Sequence, residues 1–268
     1  MTTQSTLLFS AFFAVTAAGI YGYVGWRLSK RVISSAEARL AWWSFTVWWY
    51  GLAVTTLIGG FQNLFGVVGL TNLSLFVTTA YINILPACIA LWGLLYYLIY
   101  LFTGNKRLLV PLAIFYIIYY FMLVYYITTS IPNDVRVSHW NTTLTFRAPL
   151  TGPFFVMIAV LLLLPQIIGG LAYFTLYFRV GEVTQKYRVL LVSWSIIIWF
   201  LSPLIALVGG LAQHDWWQLA SRLIGLAAAL TILMAYLPPH WLKQRYGILS
   251  LSDESQEEQK ADFSFSSK

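Results

Sequence analysis

Charge is scarce in this chain. Only 9% of its residues are Asp, Glu, Lys or Arg, against 59% apolar, where a soluble domain carries about 25% charged residues. Such a chain cannot cover its apolar surface in water, and the solvent it implies is lipid. Cysteine is almost missing: the one thiol, Cys88, sits inside an apolar run. That excludes an intrachain disulfide and a cysteine-built metal site and leaves a small buried hydrophobe. The three histidines, His139, His214 and His240, lie in one loop and at two run ends, so a haem held between buried histidines has no ligands. His139 and His214 with Asp134 and Asp215 have the chemistry of a metal site, but scattered surface histidines are the commoner arrangement, and no metal is expected. All nine carboxylates fall outside the apolar runs, which argues against a proton pump or ion-coupled carrier, since these work through an intramembrane acid or histidine. No lysine falls in the last apolar run either, so the amine that a retinal Schiff base requires is absent. No cofactor is expected. An enzyme is the least expected class, because no cluster of nucleophile, base and acid can be assembled.

What is there is apolar length. About 20 apolar residues cross a bilayer, and seven runs qualify: 5–26, 41–68, 74–102, 108–129, 151–178, 189–212 and 216–237. Each must be helical, because an unpaired backbone group in lipid costs several kcal/mol. The basic residues fix the direction of threading. Arg27, Lys30, Arg31, Arg39, Lys106, Arg107, Arg179, Lys186, Arg188, Lys243, Arg245, Lys260 and Lys268 follow the odd-numbered runs, and only Arg136 and Arg147 fall on the other side. This alternation predicts an all-α protein of seven transmembrane helices with its N-terminus outside and its C-terminus in the cytoplasm, multi-pass in the plasma membrane. The uncharged N-terminal stretch followed by a basic flank marks a first helix rather than a cleaved signal peptide. The net charge of +7 is written in these short clusters, not in an arm or helix that would track phosphates, so no nucleic acid is expected.

Two segments and one symmetry complete the organisation. The loop 128–150 opens with a turn at Ile131–Asp134 and continues as a β-rich stretch to Phe146; a short hairpin over the outer face is one reading and an irregular loop the other. Residues 1–246 read as one bundle closed by a basic, amphipathic interfacial segment after Pro238-Pro239, and 247–268 as a disordered acidic cytoplasmic tail. Displacing the chain by 150 residues brings Gly19 onto Gly169, Trp49 onto Trp199 and Gly59-Gly60 onto Gly209-Gly210. Helices one and two then overlie five and six, as in a 3+1+3 parallel repeat; similar composition alone also yields some such matches.

Chemistry concentrates near the outer ends of the runs. Arg222 is the one charge within a run, about 7 Å below the start of the seventh helix at 1.5 Å per residue. An intramembrane charge is a functional candidate by default; the alternative is an arginine reaching outward to Asp215 or to headgroups. Gln62, Asn63, Tyr81 and Asn83 lie at similar depth in runs two and three, and Gln166 follows Pro165 in run five. Amides of this kind often only join helices; converging with Arg222 they would form a ligand pocket open to the outside. Mid-run prolines Pro86, Pro165 and Pro203 favour kinks. Dense aromatics in runs two to four are either packing or the lining of an apolar site.

The closing Ala235-Tyr-Leu-Pro-Pro-His-Trp-Leu-Lys243 resembles the exit from the heptahelical sensor domains that precede bacterial signalling kinases, and the layout is similar to that of microbial rhodopsins without their retinal lysine. The resemblance implies a membrane sensor or receptor-like module that takes a small or apolar ligand in the outer half of the bundle. With no kinase or cyclase domain following, it implies action through a separate protein partner on the cytoplasmic side. Two alternatives stand beside it. A small-solute uniporter of the SWEET group shares the helix count and threading, and Leu164-Pro165-Gln166 is similar to a motif of related carriers, although helix one has no matching proline. A structural subunit of a membrane complex fits the absence of reactive groups equally well. The missing lysine makes one direct prediction: all-trans retinal added to the purified protein gives no visible Schiff-base band, and a borohydride-trapped adduct would contradict it.

Overall fold

The structure, a computed structural model, describes residues 2–31, 33, 35–146, 160, 163–212 and 215–250, with only the backbone of 206–212 and 215. In chain order the elements are α1 (Thr3–Ser29), α2 (Ala36–Val67), α3 (Leu73–Thr103), a 3-10 turn (Lys106–Leu108) running into α4 (Leu109–Thr129), and strands β1 (Pro132–Val137) and β2 (Thr142–Phe146). There follow α5 (Leu164–Thr175) with a 3-10 turn (Leu176–Phe178), α6 (Val183–Ala212), α7 (Asp215–Tyr236) and the short α8 (His240–Tyr246). His214, the carboxylate of Asp215, Arg147, the first part of the fifth apolar run and the tail from 251 lie outside the described residues, as do the side chains facing the second half of the repeat at 206–210.

The helix boundaries follow from local chemistry. The side chains of Thr2, Ser35 and Asn72 accept hydrogen bonds from the first free backbone N–H groups of α1, α2 and α3, which otherwise have no partner. Gly104 and Gly247 close α3 and α8 in the left-handed conformation, at φ 65° and 63°, where a side chain would be strained.

Among the described residues five helices are long and apolar enough to cross a membrane: α1, α3, α4 with its preceding turn, α6 to Ile205, and α7 from Trp216. They correspond to apolar runs one, three, four, six and seven. Run two is α2, 32 residues long and more polar, with Glu37, Arg39, Gln62 and Asn63 in it. Run five is represented by α5 and its 3-10 extension, a shorter apolar helix. The exterior agrees with a lipid solvent: on α4 alone Ile117, Phe121 and Tyr125 are 56%, 63% and 70% exposed, an apolar face that water would not tolerate. The protein is thus a mostly helical membrane protein.

Packing runs α1 to α2 to α3, from α3 to both α4 and α5, then α5 to α6 to α7, and α7 returns to α1. Two glycines let α2 and α3 approach closely. A Cβ on Gly51 would lie 2.6 Å from the Ala90 Cβ, and one on Gly93 would overlap the Ser44 carbonyl oxygen. In lipid, where no hydrophobic force drives helices together, such close contact is the main attraction. The α6–α7 pair adds hydrogen bonds: Tyr187 Oη, Ser195 Oγ and Ser202 Oγ donate to the carbonyls of Met234, Ala228 and Ser221 at 3.0, 2.8 and 2.9 Å. Ser195 and Ser202 are seven residues apart, as are Ser221 and Ala228, so the bonds lie along one antiparallel seam. Between the helices sits an aromatic core in which Phe45 stacks on Tyr97 at 4.5 Å, Trp49 on Tyr21 at 5.9 Å, and Trp48 meets Trp199 edge-on at 5.6 Å.

The two ends of the bundle differ. At one end the loop between α4 and α5 is an antiparallel hairpin, with Val135 opposite Leu144 and Val137 opposite Thr142. Of the two readings of that loop the hairpin is the one found, and the strand begins at Pro132, inside the segment read as a turn. Its tip is closed by Ser138, whose N–H and hydroxyl both donate to the Asn141 carbonyl at 2.9 Å. At the opposite end lie the basic clusters. There Trp42 Nε1 donates to the Leu28 carbonyl at 2.8 Å, Lys106 pairs with Glu37, and Arg31 sits over the Trp42 ring. Arg188, assigned to a loop by the sequence, is buried and donates to the Leu249 carbonyl at 2.8 Å. With Ile248 and Ser250 also buried, the chain after α8 docks on the start of α6, so packed structure extends past the expected boundary at 246.

The glycine contact between α2 and α3 generates a test. Gly93→Val should destabilise the protein by about 1–3 kcal/mol, because the Ser44 backbone has to move. Gly19→Ala, which meets nothing within 4 Å, should be close to neutral. Thermal unfolding in lipid nanodiscs compares them, and equal melting temperatures would contradict the packing account.

Candidate functional site

Beneath the hairpin the helices enclose a cavity of about 450 Å³, within the range of small-molecule sites. Its walls come from α1, α2, α3, α6 and α7, and strand β2 forms its roof. Tyr21 and Trp199 line its lower part, and they rest on Trp49 and Trp48 of the aromatic core. Large rings therefore fill the bundle between the cavity and the basic end.

Polar contacts from α2 and α7 hold the hairpin over this space. Asn63, fully buried on α2, donates from Nδ2 to Ser10 Oγ on α1 at 3.0 Å and accepts from the Thr142 backbone N–H at 2.9 Å. One amide thus joins α1, α2 and the first residue of β2, and it satisfies a strand N–H that faces the helices instead of a partner strand. Gly66 makes room for this docking, since a Cβ there would overlap Thr142 Oγ1. The second contact comes from α7: Arg222 Nη2 donates to Asn141 Oδ1 at 2.8 Å, and Asn141 Nδ2 donates in turn to Gln218 Oε1 at 3.2 Å. Gln218 and Arg222, four residues apart, share a helix face, so the hairpin tip is gripped between them.

Of the six residues singled out in the sequence, Arg222, Gln62 and Asn83 line the cavity, while Asn63, Tyr81 and Gln166 do not. Gln62 is turned toward Thr79, donating to its hydroxyl at 3.0 Å. Tyr81 shares a 2.8 Å hydrogen bond with Thr128, joining α3 to α4 away from the cavity, and Gln166 is buried on α5. Asn63 belongs to the support of the roof. Arg222 reaches the hairpin tip at Asn141; its suggested partner, the carboxylate of Asp215, is outside the described side chains. Sequence reasoning missed Asn141, Thr142, Thr55, Gln218 and Ser202, all of which line the space. Gln218 could have been found from its i, i+4 relation to Arg222, and Thr55 from its position in an otherwise apolar turn. Asn141 carried no such signal, because its place depends on how the hairpin folds back. Among the described residues no group of three His, Cys, Asp or Glu comes together, and His139 is bonded to Thr3 instead.

The lining is chemically one-sided. Arg222 is its only charged member among the described residues, beside the Asn83 amide and the Thr55 hydroxyl. Asn83 Oδ1 and Thr55 Oγ1 are buried without a protein hydrogen-bond partner. Such a surface has the mixed polar and apolar character of a small-molecule site. No protein-family model matches the chain, and no curated protein matches it.

The roof contact gives the prediction. Asn63→Ala leaves the Thr142 N–H buried and unpaired, which costs about 1–3 kcal/mol. The variant should melt lower, and the Thr142 amide should exchange its hydrogen faster relative to α1 amides. Unchanged protection at Thr142 would show that the hairpin is held by other means.

Proposed function

We propose that this protein is a receptor-like membrane module that binds a small ligand in the cavity under the hairpin and passes the binding event to a protein partner at the opposite, basic end. The observation that carries this reading is the cavity itself: a space of about 450 Å³, roofed by a polar hairpin and floored by packed rings. In this proposal the chain crosses the plasma membrane seven times, with α2 and the whole fifth apolar run completing the five long helices. The hairpin end faces outside, because the basic clusters at the other end follow the distribution expected of a cytoplasmic face. The resemblance of the Pro-Pro exit after α7 to that of heptahelical sensor domains supports the same assignment. It also gives the docked segment after α8 a role: held by Arg188, it lies at the foot of α6 and α7, the helices whose upper ends border the cavity.

A uniporter is the second reading. Pro203 on α6 lines the cavity and Pro86 lies within α3, and a carrier needs helices that bend. What favours the receptor is the floor. A carrier must open Tyr21, Trp199 and the rings beneath them to the other side, and these rings are among the most tightly buried in the protein: Tyr21, Phe45, Trp48 and Trp49 are all 0% exposed.

Thiol accessibility separates the readings without knowledge of the ligand. In a Cys88→Ala background, Thr56→Cys and Ser202→Cys place thiols at the cavity. In sealed vesicles of known orientation, an impermeant maleimide should label both from the hairpin side alone. Labelling from both sides would support the carrier, and labelling only from the basic side would invert the proposed orientation.

A further inference from the structure

Arg222 has far more hydrogen-bonding capacity than the protein uses. A guanidinium carries five N–H donors and cannot give up its charge. Among the described residues one of those donors is engaged, in the Nη2 bond to Asn141 Oδ1. The acceptor is a neutral amide, and no described carboxylate lies in the lining. The rest of the fork faces the cavity, where Nη1 lies 3.7 Å from the point a Cβ on Gly59 would occupy. A cation in a low-dielectric space with no counter-charge is costly, and paired with an anion in good geometry it is not.

The remaining lining defines the rest of the ligand. Asn83 and Thr55 border the space, with Asn83 Oδ1 and Thr55 Oγ1 themselves buried against the helices. Phe13, Ile84 and Trp199 supply an apolar surface that suits a ring or short hydrocarbon body. A ligand amine would find no carboxylate among the described lining residues and would be repelled by Arg222.

We propose that the ligand is a small organic acid: one carboxylate bound to the Arg222 fork and an apolar or aromatic body against Phe13 and Trp199. This rests on the reading of the cavity as a ligand site and adds the ligand's charge and shape. A bidentate carboxylate also explains why arginine, with its planar fork, stands at 222 where a lysine would provide only a point charge.

The test uses the full-length protein in lipid nanodiscs and three probes of one shape: 4-hydroxyphenylacetate, its neutral amide 4-hydroxyphenylacetamide, and the cation tyramine. Binding is read by isothermal titration at millimolar probe. The acid should bind, the amide at least tenfold more weakly, and tyramine not at all. Arg222→Lys should weaken acid binding at least tenfold, with the amide unaffected. Because Arg222→Lys also touches the hairpin, Gly59→Leu serves as a second variant: it blocks the fork without removing the charge and should abolish acid binding at an unchanged fold, checked by the melting temperature. Amide or tyramine bound as tightly as the acid, or acid binding insensitive to both variants, overturns the proposal while leaving the cavity a ligand site. If none of the three probes binds and Gly59→Leu alters nothing, both the acid and the ligand-site reading fail.

Discussion

A half-buried guanidinium among apolar helices has to be solvated by something, and the architecture at the hairpin end follows from how Arg222 is met. Left alone in lipid it would draw water or distort the bundle. Here it turns into the space between the helices, where the hairpin tip descends to it and Asn141 accepts its bond at 2.8 Å. The hairpin in turn is held by the backbone bond from Thr142 to Asn63, so roof, wall and charge are mutually dependent. Removing any one of the three leaves a polar group buried and unpaired, and that penalty exceeds the worth of the hydrogen bond that was lost.

The opposite half of the bundle is built on different terms. Close helix contact at Gly51 and Gly93, interlocking aromatic rings and hydroxyl-to-carbonyl bonds along the α6–α7 seam make it dense, with the basic residues gathered at its far end. A rigid lower half beneath a hollow upper half suits a module in which a change at the cavity moves whole helices. Tyr21 bridges the two: it lines the cavity, stacks on Trp49 and donates to the Gly225 carbonyl of α7 at 3.2 Å.

Much of this was legible in the sequence, for identifiable reasons. Apolar length and the scarcity of charge sufficed for the membrane class, since no other solvent accommodates such a chain. Arg222 stood out because a charge inside an apolar run is costly enough to need a cause. Its partners did not, because Asn141 lies 81 residues away and only folding the hairpin back over the helices unites them. Asn63 and Gln62 are adjacent in sequence and looked equivalent, yet the 100° turn between neighbouring helix positions sends one to the roof support and the other to the cavity. The aromatic core was ambiguous, because periodicity does not distinguish a ring packed against rings from one that lines a space. The burial of Arg188 was hidden for a similar reason: a basic residue in a basic cluster gives no sign that a later segment will fold onto it.

The central claim is that Arg222 and the hairpin hold each other in place, and a double-mutant cycle measures this directly. Unfolding free energies in lipid would be compared for the parent, Arg222→Gln, Asn141→Ala and the double variant. The account predicts a coupling of about 1 kcal/mol or more, because the two side chains share one part-buried, charge-assisted hydrogen bond. Additivity to within about 0.3–0.5 kcal/mol, the behaviour of independent sites, would contradict it.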